Sequence, residues 1–373
     1  MKTHRSDRLI AALFCVFLGE MLLLFLLGPG EDFSEKEKRY LAEPPVLNWS
    51  SLLSGTFGEQ AESYAADHLP GRDFLVGLNA TYDLLSGRQV TKAIVRGRSG
   101  RLYEVPAAFD ESVIRRNMAA VNEFAATVGQ PVDLLLIPSA GYMLPDDMPL
   151  IADPYADGEL LDAASALAGD GVRPLDLRPV FAADAPEALY YRTDHHWTSR
   201  GAWLAANFYA QSAGREAPDA QRYTVTEVPG FYGTTWSRSA LWATPAETLE
   251  LWDSGGSFSV ENAESEGVHE GLFYPAHLEE ADKYPVFLDG NHSLVRVRRA
   301  GGEADGRLLV IRDSFSNSLG CFLADTWGEV VLVDLRYYRE PVSALLERER
   351  FDSILVVYGV RNFMTDGGLV RLE

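Results

Sequence analysis

The chain has 373 residues, with 33 Lys and Arg against 54 Asp and Glu, a formal net charge of −21. That length suits one large domain with appendages, or two domains, and a composition of 47% hydrophobic and 23% charged residues excludes a mostly disordered chain. The acidic excess argues against the nucleic-acid backbone as a partner, and two cysteines, Cys15 and Cys321, exclude a disulfide framework or a cysteine-rich zinc site.

The first element is an apolar run, Leu9 to Leu27, long enough to cross a bilayer core as one helix. Lys2, Arg5 and Arg8 precede it, and Glu31 and Asp32 follow. The positive-inside rule then keeps the N-terminus cytoplasmic and exports the rest, with residues 1–30 as an uncleaved single-pass anchor. A cleaved signal peptide is the rival reading; its apolar core would be shorter, and no small-residue cleavage motif follows the run. Glu20 lies inside the run, where a carboxylate is costly unless protonated or facing a partner helix. Cys15 also falls there, which leaves Cys321 as a small buried apolar residue rather than a nucleophile.

Residues 31–50 are polar, carry Pro44 and Pro45, and read as a linker. From Ser51 to Ser86 apolar residues recur at helical spacing, broken at His68-Leu69-Pro70-Gly71-Arg72-Asp73 by a turn, so residues 31–92 form a linker and helical lead-in. Four short apolar runs then read as buried strands: Val132–Ile137, Arg307–Ile311, Glu329–Asp334 and Ser353–Tyr358. Helical patterns at about 111–128, 315–325 and 340–349 separate them, which indicates an α/β fold with a parallel sheet covered on both faces. Residues 212–292, rich in aromatics and turn formers, interrupt the pattern as an insertion with some β-structure.

Functional residues in such sheets collect beyond the C-terminal ends of strands. The run Arg307–Ile311 leads into Arg312-Asp313-Ser314-Phe315-Ser316. Ser314 there is either a nucleophile at a strand-to-helix turn or, with Asp313, an ordinary helix cap. Asp194-His195-His196-Trp197 lies on a loop entering a helical pattern that starts near Ala202. An Asp and a His two positions apart supply a base for a hydroxyl and a carboxylate to orient it. A helix cap or a metal site are the rivals, and no further ligand group at metal-like spacing supports the metal. Asn362, just past the last strand, can donate its amide to an oxyanion or serve as a turn residue.

Together these segments resemble the DHHW family, named for the residues that stand here as Asp194-His195-His196-Trp197 and related to the alginate O-acetylation proteins AlgJ and AlgX. The resemblance extends to Glu37–Pro45, to the Tyr64 and Asp67–Arg72 stretch, to Gly97–Tyr103, to Asp282–Asn291 and to Arg312–Ser318. It implies a flavodoxin-like, SGNH-hydrolase-like catalytic domain over 93–373. By motif it implies Asp194 as orienting acid, His196 as base and Ser314 as nucleophile, with His195 beside them. The Asp-x-His pair precedes the serine by 118 positions, the reverse of the SGNH order, as a circular permutation would give. Asn362, His195 and Arg312, which stands where many SGNH enzymes have Gly, become possible oxyanion or substrate contacts. The implied activity is an extracytoplasmic, membrane-anchored O-acetyltransferase acting on a cell-surface polysaccharide, with an acetyl group supplied by a small donor or a membrane-bound acyltransferase partner. No metal and no cofactor are implied, because the acetyl donor is a substrate. Two other readings stay open: an acetyl esterase with the same three residues, and a non-enzymatic glycan-binding or assembly protein. The acidic exported part favours a neutral or zwitterionic glycan over a uronate polymer.

Overall fold

The computed structural model describes residues 3–28, 30–150, 152–300 and 306–372, so Lys2 of the expected basic flank lies outside the described residues. Two compact units divide it, one of residues 1–88 with 240–242, the other of 89–239 with 243–373.

In the first unit, helix α1 (Thr3–Leu27) contains one 22-residue stretch, Ser6–Leu27, long and apolar enough to cross a membrane, about 33 Å of helix. Helices α2 (Trp49–Ser54), α3 (Thr56–Asp67) and α4 (Arg72–Leu85) follow. The expected linker carries a short antiparallel pair, Phe33–Ser34 with Arg39–Tyr40. Ion pairs order it. Arg39 donates to both oxygens of Asp67 at 2.9 and 2.5 Å, Arg72 donates to Glu37 at 2.8 Å, and the His68 ring meets the Ala42 carbonyl at 2.9 Å. The Arg39 bond holds the Asp67 carboxyl down at about 2. The two N-terminal motifs, 37–45 and 67–72, are thus two halves of one contact.

The second unit is a mixed eight-stranded sheet with helices on both faces. In chain order its main parts are helix α5 (Glu111–Val128), strands β1 (Val132–Ile137) and β2 (Val172–Asp176), helix α6 (Ser199–Ser212), strands β3 (Phe258–Asn262), β4 (His269–Glu270), β5 (Leu294–Arg299) and β6 (Arg307–Arg312), helix α7 (Ser316–Leu323), strands β7 (Glu329–Val333) and β8 (Ser353–Gly359), and helix α8 (Val360–Thr365). Across the sheet they run β4-β3-β5-β7-β6-β8-β1-β2. The five strands from β7 to β2 are parallel; β5, β3 and β4 extend the edge antiparallel. Counted from β6 and passing from β8 to β1, the parallel core has the order 2-1-3-4-5, the flavodoxin-like arrangement. The chain enters that arrangement at its fourth strand, so the fold is circularly permuted.

Period-two alternation explains why both faces are buried. Leu135, Ile137, Leu308, Val310, Leu355 and Val357 pack on one face against Ala202, Ala205, Tyr209 of α6 and Leu319, Phe322 of α7. Leu134, Leu136, Leu309, Ile311, Ile354 and Val356 pack on the other against Ile114, Met118, Val121 and Phe124 of α5. Asp110 caps α5 by accepting from Ser112 N at 2.9 Å, and Gly129, at φ 68°, ends it in the left-handed conformation that favours glycine. The segment 212–292 supplies a two-stranded ribbon (Thr224–Phe231 with Glu247–Asp253), and its β3 and β4 join the main sheet.

Candidate functional site

Strand β6 ends at Arg312, and the chain turns through Asp313, Ser314 and Phe315 into α7. The buried Asp313 carboxylate satisfies this turn: it accepts from Phe315 N at 3.0 Å, Gly359 N at 2.8 Å and Asn362 Nδ2 at 2.7 Å. Asp313 therefore ties the end of β6 to the end of β8, the two strands that flank the point where strand order reverses. The Ser314 hydroxyl caps nothing and meets His196 Nε2 at 2.8 Å.

The loop carrying His196 comes from the far side of the sequence. Tyr190 and Trp197 form an antiparallel bridge across it, and Tyr191 N donates to the His196 carbonyl at 3.2 Å. The buried Arg101 guanidinium donates to the carbonyls of Glu187, Tyr190 and Tyr191 at 2.7, 2.7 and 2.8 Å. Glu247 accepts from Arg192 N and Thr193 N at 2.7 Å each, and from the Thr193 hydroxyl. Trp197 Nε1 donates to Ser318 Oγ at 2.9 Å and to the Phe315 carbonyl at 3.1 Å, which fastens the loop to the serine turn.

Asp194 Oδ1 accepts from His196 N at 2.9 Å and bonds His196 Nδ1 at 2.6 Å; Oδ2 accepts from Thr234 N at 2.7 Å and Thr234 Oγ1 at 3.0 Å. Burial alone would push this carboxyl up, but the two neighbouring histidines, the His196 bond and the Thr234 backbone hold it well below the usual carboxylate range. Asp194, His196 and Ser314 thus form one unbroken chain of hydrogen bonds. The His196 ring is fixed from several sides: Tyr284 stacks on it at 4.1 Å and 6°, Phe315 meets it edge-on at 4.9 Å, and His195 lies against it at 3.8 Å. Tyr284 is held in turn by Ser318, at 3.2 Å.

Among the secondary candidates, His195 bonds Thr234 Oγ1 through Nδ1 at 2.7 Å and lines an opening with Tyr103, Tyr155, Phe315, Arg361 and Asn362. Burial, then the neighbouring His196, lowers its pKa from the usual histidine range. Asn362 also lines that opening, with its amide bonded to Asp313. Arg312 differs from the expectation of an oxyanion or substrate contact. It is 1% exposed, and its guanidinium is turned to Asn317 Oδ1 and the Gly290 carbonyl. A strand-end residue has two sides to face, and this one lies beneath the turn, so it supports the serine loop from inside. The donor atoms of Asp194, His195 and His196 lie within 4.8 Å of one another, a spacing open to a metal ion, but both Asp194 oxygens and His196 Nε2 already have protein partners.

Gly233, Thr234, Glu247, Arg101 and Tyr284 escaped the reading of the sequence as site residues. Arg101 and Tyr284 fall inside two of the resemblance motifs, which is the signal that was available. Gly233 carries none, yet a Cβ there would collide with Asp194 Cβ and lie 2.6 Å from its Cα.

Fold and site together define a circularly permuted, SGNH-hydrolase-like α/β protein. The DHHW protein family matches residues 177–333, and the SGNH hydrolase-like domain of the acetyltransferase AlgX matches residues 101–250, so the resemblance drawn from Asp194-His195-His196-Trp197 holds over most of the second unit. Among solved structures, a DHHW family protein from Eubacterium siraeum is similar at 18% identity and TM-score 0.64, over 76% of this chain and 95% of that one. Bacillus cereus PatB1 with a sulfonyl adduct is similar at 21% identity and TM-score 0.64, over 75% of this chain and 98% of that one. No curated protein sequence matches the chain.

Proposed function

We propose that the protein is a membrane-anchored, extracytoplasmic O-acetyltransferase that transfers an acetyl group through Ser314 to a hydroxyl of a cell-surface glycan. The observation that carries this reading is the hydrogen-bonded series Asp194–His196–Ser314, with the serine hydroxyl free of any capping role. The match to the acetyltransferase AlgX domain supports acyl transfer as its chemistry, and the Ser6–Leu27 helix supports the anchor. His196 Nε2 takes the Ser314 proton as Oγ attacks the acetyl carbonyl, while Asp194 keeps Nδ1 protonated and offsets the imidazolium charge. The amide of Asn362 is the proposed oxyanion donor, its other hydrogen bond being fixed on Asp313. Collapse expels the donor's leaving group with the proton from His196. A glycan hydroxyl then gives its proton to His196 as its oxygen attacks the acyl-serine; the acyl–Oγ bond breaks and His196 returns the proton to Ser314 Oγ, which restores the resting site. The acetyl donor is a small ester or a membrane acyltransferase partner, and the acidic surface favours a neutral or zwitterionic glycan.

The test is to incubate the full chain with an activated acetyl ester, with and without a neutral oligosaccharide, and to follow the protein by mass spectrometry. An acetyl mark on Ser314 that disappears as acetylated sugar forms supports transfer. Release of acetate alone, whatever the acceptor, identifies an esterase; no mark and no turnover sinks both enzyme readings.

Two neighbouring residues give further expectations in the same assay. Gly233→Ala is expected to lower kcat about 10²-fold, since the added methyl must displace Asp194 and small misplacements of catalytic groups cost that much. Tyr284→Leu is expected to lower kcat about tenfold with KM unchanged, because the lost ring face is worth ~0.5–2 kcal/mol beside a cation. Tyr284→Phe keeps the face, loses only the Ser318 bond, and is expected to retain most of the activity.

A further inference from the structure

Helix α4 is amphipathic in the wrong sense for a water-facing helix. Phe74, Leu75, Leu78, Tyr82 and Leu85 are each between 44% and 83% exposed. At ~100° per residue they fall within an arc of about 100°. The buried residues of the helix are Gly77 and Ala80, on the opposite side. There a Cβ added at Gly77 would collide with the Trp242 indole, whose Nε1 donates to the Asp73 carbonyl at 3.0 Å. The small residues therefore face protein and the large apolar ones face outward. A contiguous apolar stripe of this kind marks an interaction surface.

We infer that the outer face of α4 lies in the lipid–water interface of the membrane that holds α1. This rests on the anchor reading under the proposed function. Three observations select lipid as the occupant. The last turn of α1 packs on the helix just before α4: the Phe25 and Tyr64 rings meet edge-on at 5.9 Å. Leu24, Phe25 and Leu26 at the end of α1 line one opening with Leu69, Pro70 and the first residues of α4, Arg72 and Asp73, so α4 starts beside the end of the anchor helix. The stripe pairs aliphatic residues with Phe74 and Tyr82, aromatic types that favour the interface. The charged residues of α4 are Arg72, Asp73 and Asp83, so no basic strip is present, and contact depends on apolar burial rather than on anionic lipid.

The experiment uses the full chain in phosphatidylcholine nanodiscs. Cys15 is replaced by serine and Cys321 is buried, so single spin labels can be placed at Leu78→Cys, Tyr82→Cys and Leu85→Cys. Controls are Glu62→Cys, on exposed α3, and Leu18→Cys, inside α1. Labels on α4 are expected to be several-fold more accessible to oxygen than to a water-soluble nickel chelate, the reverse of Glu62, and adding anionic lipid is expected to change nothing. Labels on α4 open to the chelate overturn the proposal, and labels shielded from both reagents overturn it in favour of a protein partner. A Leu18 label open to the chelate shows instead that the anchor reading has failed.

Discussion

Ser314→Ala is expected to lower kcat for acetyl transfer by at least about 10⁴-fold, with the fold retained. The size follows from the arrangement: alanine removes the atom that would carry the acyl group, and with it the 2.8 Å contact to His196 Nε2. The fold survives because the serine turn is built by its neighbour. Asp313 supplies the cap to Phe315 N and the ties to Gly359 and Asn362, and the Ser314 carbonyl, unaffected by the substitution, still accepts from Asn317 N at 3.2 Å. The stability change should stay near the ~1 kcal/mol of one lost hydrogen bond. Steady-state turnover and thermal unfolding measured on one preparation check both halves. A folded variant that keeps wild-type turnover removes Ser314 from the nucleophile's role, and one that unfolds shows that the Ser314 hydroxyl, not Asp313, builds the turn.

The uneven legibility of the fold has a physical cause. The four central strands stand out as continuous apolar runs because both of their faces are buried. The remaining sheet strands do not. Leu294–Arg299 alternates apolar with arginine because one side of the strand carries ion pairs, Arg296 with Glu329 and Glu349 and Arg298 with Glu261, and Val172–Asp176 carries Pro174, which a sheet tolerates at its edge but which argues against a strand when read alone. The permutation is equally invisible to local pattern, since each βα step looks the same wherever the chain begins; only the order of Asp194, His196 and Ser314 betrayed it. Within the site, the residues that meet were legible because their types carry chemistry. Those that hold them were not: Glu247 reaches the loop from 54 positions away in sequence and Arg101 from about 90. Arg312 misled because sequence places a residue at a strand end without saying which side of the turn its side chain takes.

Asp194→Asn tests whether the carboxylate orients the base or merely fills space, and a loss of about 10⁴-fold in kcat is expected, with KM little changed. Asp194 accepts four hydrogen bonds, two from His196 and two from Thr234. An amide of the same shape offers one accepting oxygen and two donors. If the oxygen keeps His196 Nδ1, the amide nitrogen faces the Thr234 N–H, two donors in conflict in a buried site. If the amide turns over, it donates to Nδ1 and forces the proton to Nε2, the atom that must accept it from Ser314. Either outcome disables the base, the first through position and the second through tautomer. The pH dependence separates charge from shape. Because the folded carboxyl is held well below its unfolded value of about 3.9, it contributes stability that is fully present above that value and is lost as pH falls through the folded pKa. The asparagine variant lacks this contribution at every pH. The stability gap between wild type and variant should therefore be widest at neutral pH and should narrow as the pH is lowered below about 4. A gap that stays constant across that range would show that the loss comes from packing alone, and Asp194 would then be a structural residue rather than the partner of His196.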